Sequence, residues 1–204
     1  DAYCAGIGDE IEVSVSYSDY DAEQEGYMVE EDTKKMKLKE GDVDAYVTDP
    51  AEISGDALKE MVTAAESIIN ERYFDDSYRY RGMMGDITGA EYNWDFDMAA
   101  VTRSEYKLDK IAILVAKDVD HGKYQYNMPY FIFETTVQDS VNVNPVTVYC
   151  VASFEDVILC TDGTIDVDLE DVSAIDAVGS LEDVQKLIDD KTSRTYDVTQ
   201  LDMN

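Results

Sequence analysis

The feature that most constrains this chain is a run of six apolar residues, Ile111 to Ala116 (IAILVA). It is the length of a strand and far too short to span a bilayer. It reads as a central strand, and more strand-like sequence follows it. Tyr124 to Val137 is a long run, two strand lengths bent near Pro129, and Val146 to Phe154 is another. Val157 to Cys160 runs into Asp162–Gly163, a strong hairpin signal. Beyond that turn Ile165, Val167 and Leu169 alternate with Asp166, Asp168 and Glu170. That is the pattern of a half-buried strand with an acidic outer face.

Helices frame these strands. Leu58, Met61, Val62, Ala65, Ile68, Ile69 and Arg72/Tyr73 keep a 3.6-residue spacing, which predicts a helix over 57–73, capped by Ser54 or Asp56. Ser180 with Asp183 forms a capping box before Leu181, Val184, Leu187 and Ile188, which predicts a short helix over 181–189. Thr195 to Leu201 suits a final strand. Residues 75–95, rich in Gly, Asp and Tyr, read as irregular. Upstream, IEVSVSY at 11–17 and VDAYV at 43–47 alternate, the basic stretch Lys34 to Lys39 should pair locally, and Asp49–Pro50 ends a strand. The expected organisation is a small β-rich module over 1–52 and an α+β domain over 53–204, with antiparallel strands across 111–169. A helix should pack on one face of a curled sheet.

The surface is strongly acidic. Against 46 Asp and Glu stand 16 Lys and Arg, a formal net charge of −30. Such a chain repels nucleic acid and anionic lipid and favours cations or basic partners; solubility alone is the plainest account. No stretch is long and apolar enough to insert in a membrane. The chain starts at Asp1 rather than Met, so a fragment or processed product is expected, with any signal or anchor outside it.

Catalytic motifs are absent from the sequence. His121 is the single histidine, in an expected turn between Asp120 and Gly122, which removes every His-pair metal site. No nucleophile elbow, Walker loop or complete dinucleotide fingerprint occurs. No cofactor is expected. Calcium is the one candidate ion, with Asp118 and Asp120 as one set of carboxylates and Asp162, Asp166 and Asp168 as another. The first set fails the EF-hand spacing, because Lys123 and Pro129 stand where Gly and Glu are needed. The aromatic group Tyr92, Trp94 and Phe96 is a candidate ligand surface or the closed end of a core. Cys150 and Cys160 admit two pictures. A reversal at Phe154–Asp156 sets them opposite each other for a disulfide; one long bulged strand turning at Asp162–Gly163 holds them about ten residues apart.

The helix from Ala65 to Phe74, the stretch VTVYCVASFEDVILCTDGTIDVDLEDV at 146–172, and SLEDV at 180–184 leading to Tyr196 carry a resemblance. From residue 53 onward the chain resembles a domain of Firmicute surface proteins, similar to the membrane-tethered, zinc-ribbon-bearing proteins of Clostridia. The tyrosine-rich strand, Phe154 before Asp156, and the Asp162–Gly163 turn are the matching features; the two cysteines depart from it. The resemblance implies a cone-like, NTF2-like or cystatin-like α+β domain outside the membrane, and brings no catalytic residue. The expected function is therefore a non-catalytic extracellular binding or structural domain of a bacterial cell-surface protein, partnered by a cell-wall component or a basic protein. The alternatives are a calcium-stabilised structural module and a hydrolase with a cone-shaped pocket.

Overall fold

The computed structural model describes residues 10–14, 24, 26, 33–37, 39, 43–117, 125–192 and 195–203. The chain divides into two compact units. One is Asp1–Ala45 with Cys160–Gly163; the other is Tyr46–Leu159 with Thr164–Asn204.

In the first unit β1 (Glu10–Ser14) pairs antiparallel with β2 (Thr33–Lys37) from Glu10↔Lys37 to Ser14↔Thr33. Acidic residues of one strand face basic residues of the other, and Lys35 reaches Glu10 at 3.2 Å and Glu12 at 4.0 Å. The basic stretch is thus spent on its acidic neighbour strand, the cross-strand pairing of opposite charges that favours a ladder. The turn at Cys160–Gly163 also belongs to this unit; Gly163 N–H donates to the Cys160 carbonyl at 2.9 Å, and Thr161 N–H donates to Asp44 at 2.8 Å.

The second unit is built on an antiparallel sheet. Its strands are β4 (Thr102–Arg103), β5 (Lys107–Ala116), β6 (Asn127–Gln138), β7 (Val146–Ser153), β10 (Ser173–Val178) and β11 (Tyr196–Asp202). The order is β10-β7-β6-β5-β11, and β4 pairs with β6 beyond the end of β5. A three-stranded sheet of β3 (Ala45–Tyr46), β8 (Ile158–Leu159) and β9 (Ile165–Asp166) lies apart from it. The helices are α1 (Gly55–Ile69), α2 (Ser77–Thr88) and α3 (Leu181–Thr192). Among the described residues no helix is long and apolar enough to cross a membrane.

Alternate residues of the central strands point to opposite faces, and both faces are apolar. Ile111, Ile113, Phe131, Phe133, Val148 and Cys150 face Met61, Ala65 and Ile69 of α1 and Tyr80, Met83 and Met84 of α2. Ala112, Leu114, Met128, Tyr130, Ile132 and Val151 face Val184 and Ile188 of α3. Burial runs unbroken from Asn127 to Phe133, because helices cover the sheet from both sides.

That arrangement corrects the expected fold. The class is α+β, but the sheet is neither curled nor closed, and it is not the cone of an NTF2-like or cystatin-like domain. The physical reason is in the strands: with large apolar side chains on both faces, neither face can be left as a concave hollow. The resemblance to Firmicute zinc-ribbon surface proteins implied that cone, and the open sheet overturns it.

Local signals explain most element ends. Asp49 and Glu52 cap the short turn Pro50–Glu52 reciprocally. Ser54 holds the N-cap position of α1 without a side-chain bond. Past Ile69 the helix widens into a π-type turn, Asn70–Phe74. Segment 75–95, expected to be irregular, contains α2. Asp76 caps it by accepting from Arg79 N–H at 2.9 Å. Gly89 ends it at φ 70, a left-handed conformation that suits glycine. For α3, Asp183 N–H donates to Ser180 Oγ at 3.2 Å, and Ser180 Oγ–H donates to Asp183 at 2.6 Å.

Candidate functional site

A groove of about 920 Å³ runs along the outer edge of β10, between α2 on one side and the start of α3 on the other. Sequence order explains how it forms. The link from β10 to α3 is only Gly179 and Ser180, so the sheet edge passes close under α2. A Cβ on Gly179 would stand 3.0 Å from Ile87 Cγ2, so only glycine fits this approach without a shift. The floor carries Ile175, which sits at a register shift between Ala174 and Asp176 and is 38% exposed. Ile87 and Leu187 line the walls.

Two guanidinium groups mark one end. Arg72 comes from the π-type turn and Arg79 from the first turn of α2, and both also line a smaller adjoining hollow of about 290 Å³ beside Ser173. Carboxylates stand in the same lining, Asp86, Asp176 and Asp183 in the groove and Glu71 in the hollow. Among the described residues the ion pairs are made by Lys35, Lys59, Lys110, Lys117 and Lys186, and no arginine enters one. Arg81 donates to the Ser77 and Asn93 carbonyls. Arg103 lies 4.6 Å and 4.1 Å over the rings of Phe74 and Tyr106. Among the described residues neither the Arg72 nor the Arg79 side chain enters an ion pair, and both are exposed. Burial, then the Asp176 carboxylate, push the Tyr73 phenol above its ordinary value. At the far end Lys186 is held by Asp183 at 3.0 Å and Glu182 at 3.2 Å.

The candidates from the sequence fall elsewhere. Tyr92 and Phe96 join Tyr80 in a ring cluster at the edge of the core, with centroids 5.0–6.1 Å apart. Trp94 between them is 87% exposed. The three therefore form no common surface: two rings face inward and one faces water. The cluster closes on Asp139, a carboxylate only 5% exposed. It accepts from Tyr80 Oη at 2.6 Å, Tyr92 Oη at 2.7 Å, Val141 N–H at 2.7 Å and Asn142 N–H at 2.6 Å. Burial pushes the Asp139 carboxyl up, but these donors outweigh it and hold it below its ordinary value. Burial and the Asp139 charge raise both phenols.

Asp118 and Asp120, with His121, lie outside the described residues. Asp162 sits in the turn after β8, Asp166 in β9, and Asp168 accepts from Glu170 N–H at 2.9 Å. Residues 165–170 alternate half-buried and exposed, which turns Asp166, Asp168 and Glu170 outward. Among the described residues no group of three or more His, Cys, Asp or Glu side chains is placed to hold a metal ion.

Cys150 is buried in β7 and Cys160 is half-buried after β8; both thiols are free. After β7 the chain keeps its direction along β6, with Phe154 N–H on the Pro129 carbonyl and Asp156 N–H on that of Asn127. It kinks at Asp156, φ 50, and turns back only at Thr161–Gly163. Burial pushes the Cys150 thiol up to about 12, against the nearby Arg103 charge.

No family model, no curated protein and no solved structure matches this chain. The groove was missed in the sequence because α2 was missed. Asp76 as cap and Gly89 as stop were legible signals for it.

Proposed function

We propose that this chain is a non-catalytic binding module whose ligand seats in the groove along β10. One observation carries the reading. An open groove of about 920 Å³ lies along the unpaired edge of β10, where apolar Ile87, Ile175 and Leu187 stand with Arg72, Arg79 and Lys186 among the carboxylates of Asp86, Asp176 and Asp183. Such a lining offers apolar contact together with donors and acceptors of both charges, the mixture that a binding surface uses.

The described acid–base groups support the same reading. Asp139 is fully engaged by four donors, and no buried side-chain polar atom among the described residues lacks a partner. The buried thiol and the core phenols are pushed away from ionisation, the opposite of the tuning that general bases and nucleophiles need. The extracellular address that the resemblance implied loses that support; labelling of intact cells with a membrane-impermeant reagent decides it.

The test is amide mapping by NMR. The isotope-labelled chain would be titrated with a panel of extended peptides, oligosaccharides from bacterial cell wall, and small carboxylates. Shift changes gathered at Arg72–Ile87 and Ser173–Leu187 are expected for at least one panel class. A panel that leaves these amides unmoved sinks the reading.

A further inference from the structure

We infer that the groove takes a short peptide with free termini, added as an antiparallel strand to the open edge of β10. Its terminal carboxylate lies toward Arg72 and Arg79, and its terminal ammonium toward Asp86 and Asp183. This deepens the binding-module reading and rests on it.

The edge supplies the main-chain half of the recognition. β10 is the last strand of its sheet, paired only with β7. Among the described residues, no backbone–backbone hydrogen bond outside that ladder engages residues 173–178. A strand edge in this state is a template for another extended segment. One donor is withheld, because the Ala177 N–H bonds the Asp176 carboxylate at 2.8 Å, so an added ladder is interrupted there. α2 and α3 flank the edge from opposite faces of the sheet. A single strand fits between them, whereas the edge of a second copy would bring helices of its own. Ile87, Ile175 and Leu187 offer apolar contact to the incoming side chains.

The two ends of the groove differ in sign. Arg72 and Arg79 stand beside Ser173, at the start of β10. Gly179, just past its end, meets Ile87, which brings Asp86 there, and Asp183 follows in the first turn of α3. Counter-charges reduce each end without reversing it. Glu71 joins the two arginines, and Lys186 is held between Asp183 and Glu182. The helix α2 carries the same polarity. Arg79 lies in its first turn, at the positive end of the macrodipole, and Asp86 in its last turn, at the negative end. Asp76 caps the first turn through the Arg79 N–H, not the guanidinium. Among the described residues neither Arg79 nor Asp86 enters an ion pair. Both placements oppose the stability of α2, so helix formation does not explain them.

A free peptide has the matching polarity. Because β10 runs from Ser173 to Val178, the antiparallel direction brings the carboxylate to the arginines. A parallel peptide sets both termini against like charge, and a uniformly acidic or basic one is repelled at one end. From Arg79 to Asp86 the helix rises about 10 Å. Residues 173–179 extend over about 20 Å. A peptide of about four to seven residues spans that range.

The experiment titrates the full isotope-labelled chain with Thr-Val-Thr-Val-Thr, read by amide mapping. The free-ended peptide should shift the Arg72–Ile87 and Ser173–Leu187 amides. Amidating its C-terminus and acetylating its N-terminus should each weaken binding about tenfold, since each removes a charge-assisted contact. Arg79→Gln should erase most of the amidation effect, and Asp86→Asn most of the acetylation effect, as coupled pairs do. Both side chains are exposed, so neither change disturbs the core. Equal binding of the doubly blocked peptide, which stands for an internal segment of a longer chain, overturns recognition of the termini. Crossed coupling, Arg79 with the amine and Asp86 with the carboxylate, overturns the direction. Equal binding of a peptide N-methylated at alternate residues overturns strand addition. Concentration-dependent broadening of these amides without peptide, with a dimer in sedimentation, overturns the peptide in favour of a second copy. In all four outcomes the groove stays a binding site. Silence toward the free-ended peptide, with another panel class shifting the groove, overturns the peptide alone; silence toward every class removes the binding-module reading as well.

Discussion

The face of the sheet under α1 and α2 and the face under α3 use alternate residues of the same strands, yet they are closed in different ways. The first face buries Phe131, Phe133 and Phe154 together with two helices. It is also tied by polar bonds between distant parts of the chain: Tyr80 to Asp139, and Tyr106 to Asn70 at 3.0 Å. The second face rests on one amphipathic helix of twelve residues, with Val184 and Ile188 as its buried contacts. A sheet can thus be covered on both sides with unequal redundancy. One cover is cross-linked through its core by buried side-chain bonds; the other rests mainly on apolar area, with Lys117 Nζ donating to the Thr192 carbonyl at 3.0 Å at its rim.

The difference can be broken most forcefully at Phe131, whose ring lies 5.2 Å from Phe154. Phe131→Ala should cost about 3–5 kcal/mol and lower the urea midpoint of the sheet-bearing unit. On the other face Ile188→Ala should cost about 2–4 kcal/mol. Its signature should be local: hydrogen exchange in 181–192 should speed up well before the strands do, because one helix can lift alone. Equal acceleration across the sheet would abolish the contrast between the faces.

Asp139 sharpens the comparison through pH. Its carboxyl is held below the ordinary value, so the stability it contributes is present above the unfolded value of about 4 and is lost as pH falls through the lower folded one. Asp139→Asn should cost about 1.5–3 kcal/mol at neutral pH and flatten the acid limb of the stability profile. A variant that keeps the full acid dependence would show that the tie carries none of it. The smallest effect concerns the thiols. Native-state alkylation should label Cys160 long before Cys150, which is buried and whose thiol is pushed up to about 12. For Cys150 the raised value means that stability is full below the unfolded thiol value of about 8.5 and declines above it. Early labelling of Cys150, followed by mass spectrometry, would show that the first face opens readily.

Much of this architecture was legible in the sequence, and the misses have physical causes. IAILVA, the run at Val146 and the caps of α3 depend on local pattern, and they form strands and a helix in the structure, whereas the run expected to bend near Pro129 into two strand lengths is one continuous strand, Asn127–Gln138. α2 was missed because Gly82 and Gly85 dilute its periodicity, while its cap and stop lie in single residues. The two-sided cover was missed because an unbroken apolar strand announces burial without saying what covers each side. The groove was illegible for a related reason. Arg72 and Arg79 are unremarkable in sequence, and their lack of acidic partners exists only once the chain is folded.

Trp94 bears on how all of this can be observed. The chain has one tryptophan, and it already stands in water. Its emission should be red-shifted in the native protein and change little on denaturation, so intrinsic indole fluorescence is a poor reporter of the core. The rings that lose their surroundings are the buried tyrosines, Tyr80 and Tyr130 among them. Near-ultraviolet dichroism in the phenol band is the optical signal that follows the fold.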